Sequence, residues 1–209
     1  FEDSFMRRLV LSLLALILFP SLASAQKAED IAKIENYLNN IKTLKASFVQ
    51  IASNANTSEG ELYIAKPNKI RMEYADPVNV TIVGDGNFIV YNDKELDQVT
   101  HIDYDDVPAS LILANDIKID GHNIKLVDFY KDAGTTEAVL EYNIKGETSP
   151  ITLVFNNSPF ELKQWKLVDQ QGTEINVSLY NYEQDIPLDS SLFKFKEKDN
   201  KKSFNRKRG

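Results

Sequence analysis

Between Gly60 and Tyr91 hydrophobic residues recur at every second position: Leu62 and Ile64, then Ile70, Met72 and Tyr74, then Val80 and Ile82, with Lys69, Arg71 and Glu73 between the middle three. Such alternation gives a strand one apolar and one polar face. Pro67-Asn68, Asp76-Pro77 and Gly84-Asp85-Gly86 break the pattern at short intervals, so the stretch reads as four strands folding back as a meander. Upstream the period changes. Ile31, Ile34, Leu38 and Ile41 fall three and four apart, behind Glu29 and Asp30 in a first turn where the helix dipole favours acid, which predicts an amphipathic helix over Lys27 to Ile41.

Thr43 to Ala52 reads as the strand before the meander, joined to it by a polar turn over Ser53 to Glu59. After Asn92-Asp93-Lys94 comes a strand over Leu96 to Ile102, and Pro108 to Asn115 reads as a short helix with Pro108 in its first turn. Leu111, Ile112 and Leu113 cannot all face one side of so short a helix, so some are expected on the body and others over an opening. Strands follow over Ile124 to Tyr130, Glu137 to Lys145, Ile151 to Asn156, Leu162 to Asp169 and Thr173 to Tyr182, and Pro187 to Phe193 forms a last helical turn. Successive strands without βαβ spacing predict an antiparallel sheet. The expected fold class is α+β, mainly β, a single curved antiparallel sheet with helices covering its concave hydrophobic face.

The ends of the chain change the picture. Phe1 is no initiator, and Met6-Arg7-Arg8, the apolar run Leu9 to Phe19, Pro20 and Ala23-Ser24-Ala25 predict a signal peptide starting at Met6 and cleaved after Ala25. The apolar run is shorter than the roughly 20 residues of a membrane span. The expected division is upstream residues plus signal peptide over 1–25, one domain over 26–195, and a basic disordered tail over 196–209. With no cysteine, the mature protein has no disulfide and no site for an amino-terminal lipid on cysteine. From Gln26 to Phe195 there are 15 basic and 27 acidic residues, whereas the tail holds seven Lys and Arg against two acids. So acidic a body argues against nucleic acid as a partner.

Catalysis has no visible seat. His101 lies in an alternating strand and His122 in a turn, and there is no Gly-x-Ser-x-Gly, His-Glu-x-x-His or phosphate loop. Asp97, His101, Asp103, Asp105 and Asp106 lack the glycine and spacing of a hard-cation loop and read as solvated. No enzyme activity, metal or cofactor is expected. A sheet so extensive, served by so few helices, instead has more apolar face than they fill, and the surplus predicts a pocket. Phe48, Leu62, Ile64, Ile70, Met72, Tyr74, Val80, Ile82, Phe88 and Val90 are assigned to its lining, with Leu111, Ile112 and Leu113 over it.

The stretch Gly60-x-Leu62-x-Ile64-x-Lys66-Pro67-Asn68-x-Ile70-Arg71-Met72-x-Tyr74-x-x-Pro77 resembles the main signature of the periplasmic lipoprotein-carrier (LolA-like) family. Ile82-Val83-Gly84-Asp85-Gly86, Tyr91-Asn92, Gln98-Val99-Thr100 and Val107-Pro108-x-x-Leu111-x-Leu113 follow in the family's order. Leu162-x-x-Trp165-x-Leu167-x-Asp169-x-x-Gly172 and Leu192-Phe193 are similar to its second half, so the resemblance runs from about Ile34 to Phe195.

This resemblance implies an unclosed β-barrel with a hydrophobic cavity under a helical lid, in a monomeric periplasmic chaperone. Family members take acylated lipoproteins from an inner-membrane ABC-type transporter and pass them to an outer-membrane receptor lipoprotein. They also carry, before the Pro-Asn or Pro-Gly of the signature, an arginine that bonds lid carbonyls. Here that position is Lys66, the candidate lid latch, with a flexible ammonium in place of a planar fork. Arg71 falls among the polar positions and is expected on the outer face. Alternatives on the same fold are a carrier of another lipid or glycolipid and a module that senses mislocalised lipoprotein.

Overall fold

The computed structural model describes residues 19–144, 146–169 and 172–196. Most of the predicted signal peptide and nearly all of the basic tail lie outside the described residues. The first element among the described residues, α1, is a helix over Phe19–Asn40. It begins earlier than the period of its apolar residues predicts, so Glu29 and Asp30 stand inside it and no acid occupies its first turn. Its apolar stripe is nonetheless the predicted one: Ile34, Leu38 and Ile41 are buried and Ile31 packs against them.

Eleven strands follow in one antiparallel sheet. Before the gap in the middle of the chain come β1 (Thr43–Ala52), β2 (Thr57–Ala65), β3 (Lys69–Tyr74), β4 (Val80–Asp85), β5 (Phe88–Asp93) and β6 (Gln98–Asp103). After it come β7 (Ile124–Lys131), β8 (Thr135–Ile144), β9 (Glu147–Asn157), β10 (Phe160–Val168) and β11 (Glu174–Gln184). The polar turn expected over Ser53 to Glu59 is shorter, because β2 already pairs with β1 from Thr57. Among the described residues there are also three 3-10 turns, at Tyr104–Asp106, Pro108–Leu113 and Ser190–Phe193.

The strand order is β6-β5-β4-β3-β2-β1-β11-β10-β9-β8-β7. Pairing of β1 with β11 joins the two halves, and β6 and β7 are left as edges. These edges are consecutive in the chain. The barrel is therefore unclosed between neighbouring strands, and residues 104–123, which link them, run through the inside of the fold instead of making a hairpin.

Register decides which face each side chain takes. Ala46, Leu62, Met72 and Ile82 stand in one row across β1 to β4, and Leu44, Ile64, Ile70 and Gly84 in the next. A third row runs Phe48, Gly60, Tyr74. Gly60 is required there: a Cβ would overlap the carbonyl oxygen of Glu73, and the rings of Phe48 and Tyr74 meet edge-on across it at 5.0 Å. From the other half Leu140, Ile151, Leu153, Phe155, Leu162, Trp165, Val177 and Leu179 turn to the same side and join a single core with the helix stripe.

Candidate functional site

The concave face carries two covers. The helix lies toward β9 and β10, where the Tyr37 ring sits edge-on to Phe155 and Phe160, each at 5.7 Å. Polar contacts hold its flank: Asp30 pairs with Lys131 of β7 at 2.5 Å, and Glu35 pairs with Lys118 and accepts the Ile119 amide, both at 2.8 Å. One turn further on, the Asn39 amide group bonds both the N–H and the carbonyl of Ile117. Glu35 and Asn39 thus treat residues 117–119 as a strand treats its neighbour, satisfying backbone that would otherwise be buried without partners.

The second cover is the 3-10 turn Pro108–Leu113, with Pro108 at its start as predicted. The expectation that some of its aliphatics would stand over an opening is corrected: Leu111, Ile112 and Leu113 are all buried, and all belong to the central core. Successive residues of a 3-10 helix point about 120° apart, so burying three in a row requires neighbours on every side. The turn achieves this by entering the interior, where it contacts β8 and β9, with Ile117 and Ile119 buried just beyond it.

Lys66 stands where the covers meet. Its ammonium donates to the carbonyl of Leu38 in the last turns of α1 at 2.6 Å and to that of Ala114, which caps the 3-10 turn, at 2.8 Å. The Asn68 amide adds a bond to the Leu113 carbonyl at 3.1 Å, and the Tyr104 hydroxyl donates to the Asn68 carbonyl. Burial lowers the Lys66 ammonium to about 8, since an ammonium among apolar groups loses hydration. Cationic donors at helix carbonyl ends are favoured by the dipole, so one lysine serves both covers.

Of the ten residues assigned to the lining, the register turns Phe48, Leu62, Ile64, Ile70, Met72, Tyr74, Val80 and Ile82 to the concave side. Val80, at its rim, is buried outside the central cluster. Phe88 and Val90 face the other way. Val90 pairs with Val83, which shares the outer face with Arg71, and Phe88 is 50% exposed. Their place among the inward residues is taken by Ile89, across from Gly84, and Tyr91, across from Ile82. Gly84 leaves room for Tyr104, whose hydroxyl oxygen a Cβ would overlap. Burial pushes the Tyr74 phenol up, and its hydroxyl donates to Gln50. Open clefts of about 600 and 320 Å³ lie outside the concave side, against the outer face of β3 to β6 and around residues 120–125.

Among the described residues no three His, Asp or Glu side chains converge on a metal position, and no helix is long and apolar enough to cross a membrane. The sequence model of the family described as outer membrane lipoprotein carrier protein LolA matches residues 39–196. The chain belongs to the LolA family. An outer-membrane lipoprotein carrier protein of Dechloromonas aromatica is 28% identical over 198 residues, 89% of this chain and 91% of that one. A protein of the same name from Chromobacterium violaceum is 29% identical over 198 residues, 91% of this chain and 94% of its own. A LolA superfamily protein of Nitrosomonas europaea, known from its crystal structure, superposes with a TM-score of 0.47 at 10% identity, over 80% of this chain and 97% of that one. Family membership gives the covered apolar face its context.

Proposed function

We propose that this protein is a periplasmic carrier that takes the acyl chains of lipoproteins between the concave sheet and its two covers, on the way from the inner to the outer membrane. One observation carries the reading. A row of aliphatic side chains on the sheet is covered by a six-residue turn whose own three aliphatics are buried, and whose end is held by a lysine and a backbone amide.

The energetics explain both the need and the form. Each buried methylene contributes about 0.8 kcal/mol, so a long acyl chain in water costs on the order of 10 kcal/mol. A lipoprotein does not cross an aqueous space with such chains exposed. Cargo entering here displaces Leu111, Ile112 and Leu113 from the face, and re-exposing each costs about 1.5–3 kcal/mol. The turn therefore acts as a stand-in ligand that lowers net affinity, and lower net affinity permits delivery. Met72, unbranched and polarizable, suits a floor that must fit acyl chains as well as its own cover. Transfer in this sense requires a donor transporter in the inner membrane and a receptor at the outer membrane, and the carrier works as a monomer without catalysis.

The test is release of a triacylated lipoprotein from inner-membrane vesicles into the soluble fraction, with a non-acylated version of the same cargo as control. Wild-type protein releases the acylated form and makes a complex with it; Ile70→Glu, which puts a carboxylate in the middle of the floor, releases little or fails to hand it on. Normal transfer by Ile70→Glu, or equal binding of acylated and non-acylated cargo, defeats the reading.

A further inference from the structure

The outer face of the first half holds a feature that acyl-chain binding does not use. A cleft of about 600 Å³ lies between β3 to β6 and the C-terminal segment around the Ser190–Phe193 turn. That segment is pinned at both levels. Phe193 is buried, and Arg71 bonds the Leu192 carbonyl at 3.0 Å while pairing with Glu73. A volume of this size is ample for a small-molecule ligand.

Its chemistry is uneven. Val83, Val99 and Leu192 give it apolar walls, and Lys94, Lys194 and Lys196 stand round it against Asp97. None of those three lysines stands in an ion pair among the described residues. This is a local positive excess in a chain whose net charge is -7. Thr81 also lines the cleft; it is 3% exposed, and its hydroxyl is the one buried side-chain polar atom found without a hydrogen-bond partner among the described residues. Buried hydroxyls are ordinarily paired, because the unpaired group forfeits its hydration for nothing. Apolar walls, a surplus of about two positive charges and a spare hydroxyl together match a phosphate monoester, which carries a charge of about -1.5 to -2 at neutral pH.

We infer that this outer cleft binds an alkyl phosphate, with the alkyl part against Val83, Val99 and Leu192 and the phosphate among the lysines and the Thr81 hydroxyl. The chemistry is shared by the phosphatidic acid headgroup and by soluble phosphate monoesters. The inference does not rest on the carrier reading, since the cleft is on the opposite face from the covered floor.

The probe is hexyl phosphate, titrated calorimetrically into the full chain at low salt, with inorganic phosphate and hexanol in parallel. Hexyl phosphate should bind more tightly than either. Lys94→Gln should weaken it about tenfold, as expected for a bond to a charged group, and Thr81→Val several-fold. Thr81→Val should at the same time raise the melting temperature, because it removes an unpaired hydroxyl; this separates loss of a ligand contact from loss of fold. Competition by phosphatidic acid vesicles, but not phosphatidylcholine vesicles, points to a membrane headgroup, and hexyl phosphate binding without such competition points to a soluble ester; either supports the inference. It is overturned by absence of binding, by equal affinity for hexanol or inorganic phosphate, or by hexyl phosphate affinity that neither variant changes.

Discussion

The two covers of the concave face are built in opposite ways. The helix α1 is 22 residues long, closes its own backbone bonds, and grips with a stripe of buried aliphatics and with Tyr37 set edge-on to two stacked rings. The turn Pro108–Leu113 has six residues and three aliphatics sunk in the core. What holds it down at its far end is Lys66 and the Asn68 amide. The helix spreads its hold over a long stripe; the turn concentrates its hold in three adjacent side chains and two bonds at its end. Because Lys66 also bonds the Leu38 carbonyl, the end of the helix and the end of the turn share one donor.

Truncation should break the comparison most visibly. Leu38→Ala, in the helix stripe, is expected to lower global stability by about 3 kcal/mol in urea denaturation, the usual loss for a fully buried leucine. Leu111→Ala removes as much buried surface, yet should cost only about 1–2 kcal/mol, because the loss is capped by the free energy of opening the turn alone. Equal losses would make the turn as integral to the fold as the helix. Next in size is Lys66→Met, which leaves two carbonyls without their donor. Amide exchange at residues 111–114 should quicken about tenfold, for a loss of roughly 1.4 kcal/mol, and Lys66→Arg should restore protection. Unchanged exchange in Lys66→Met would show that packing alone holds the turn.

The effect of pH stands apart from these, and its sign is instructive. Lys66 holds its proton only up to about pH 8 in the closed protein but up to its ordinary 10.5 once exposed. Below 8 both forms are protonated and the burial cost of the ammonium is fully present. Between 8 and 10.5 the unfolded or opened chain binds a proton that the closed chain lacks, so stability contributed by this residue rises with pH across that window. Urea midpoints of wild type relative to Lys66→Met should therefore climb from pH 8 to 10.5. A relative decline over the same range would contradict the placement of an ammonium in a dehydrated site.

Much of this site could be read from the chain, and its one systematic slip has a simple cause. The alternation through Leu62, Ile70, Met72 and Ile82 predicts the inward face correctly, since hairpin partners there, such as Leu62 and Met72, or Met72 and Ile82, are both even-numbered. The β4–β5 hairpin is different: Asp85 and Phe88 flank a two-residue tip, so even positions pair with odd ones and the inward set passes to Ile89 and Tyr91. Carrying the even parity onward places Phe88 and Val90 on the wrong face. Gly84-Asp85-Gly86 marks that a turn occurs, but not how many residues it uses. The depth of Leu111 to Leu113 was hidden for another reason. Three adjacent aliphatics on a short helix look unable to share one environment, and they do so only because the chain passes through the interior where the barrel fails to close.

From the sequence alone came the antiparallel meander, the amphipathic stripe of α1, the outward Arg71 and the family to which the chain belongs, all carried by local period and by residues set at fixed spacing. Tertiary structure decided the rest: the unpaired edges β6 and β7, the burial of the turn between them, the meeting of Lys66 with two carbonyls 28 and 48 residues away, and the outer cleft under the C-terminal segment. Period is a property of neighbours along the chain and survives in one dimension. Which carbonyl a lysine reaches, and which hydroxyl is left without a partner, depend on segments brought together by folding.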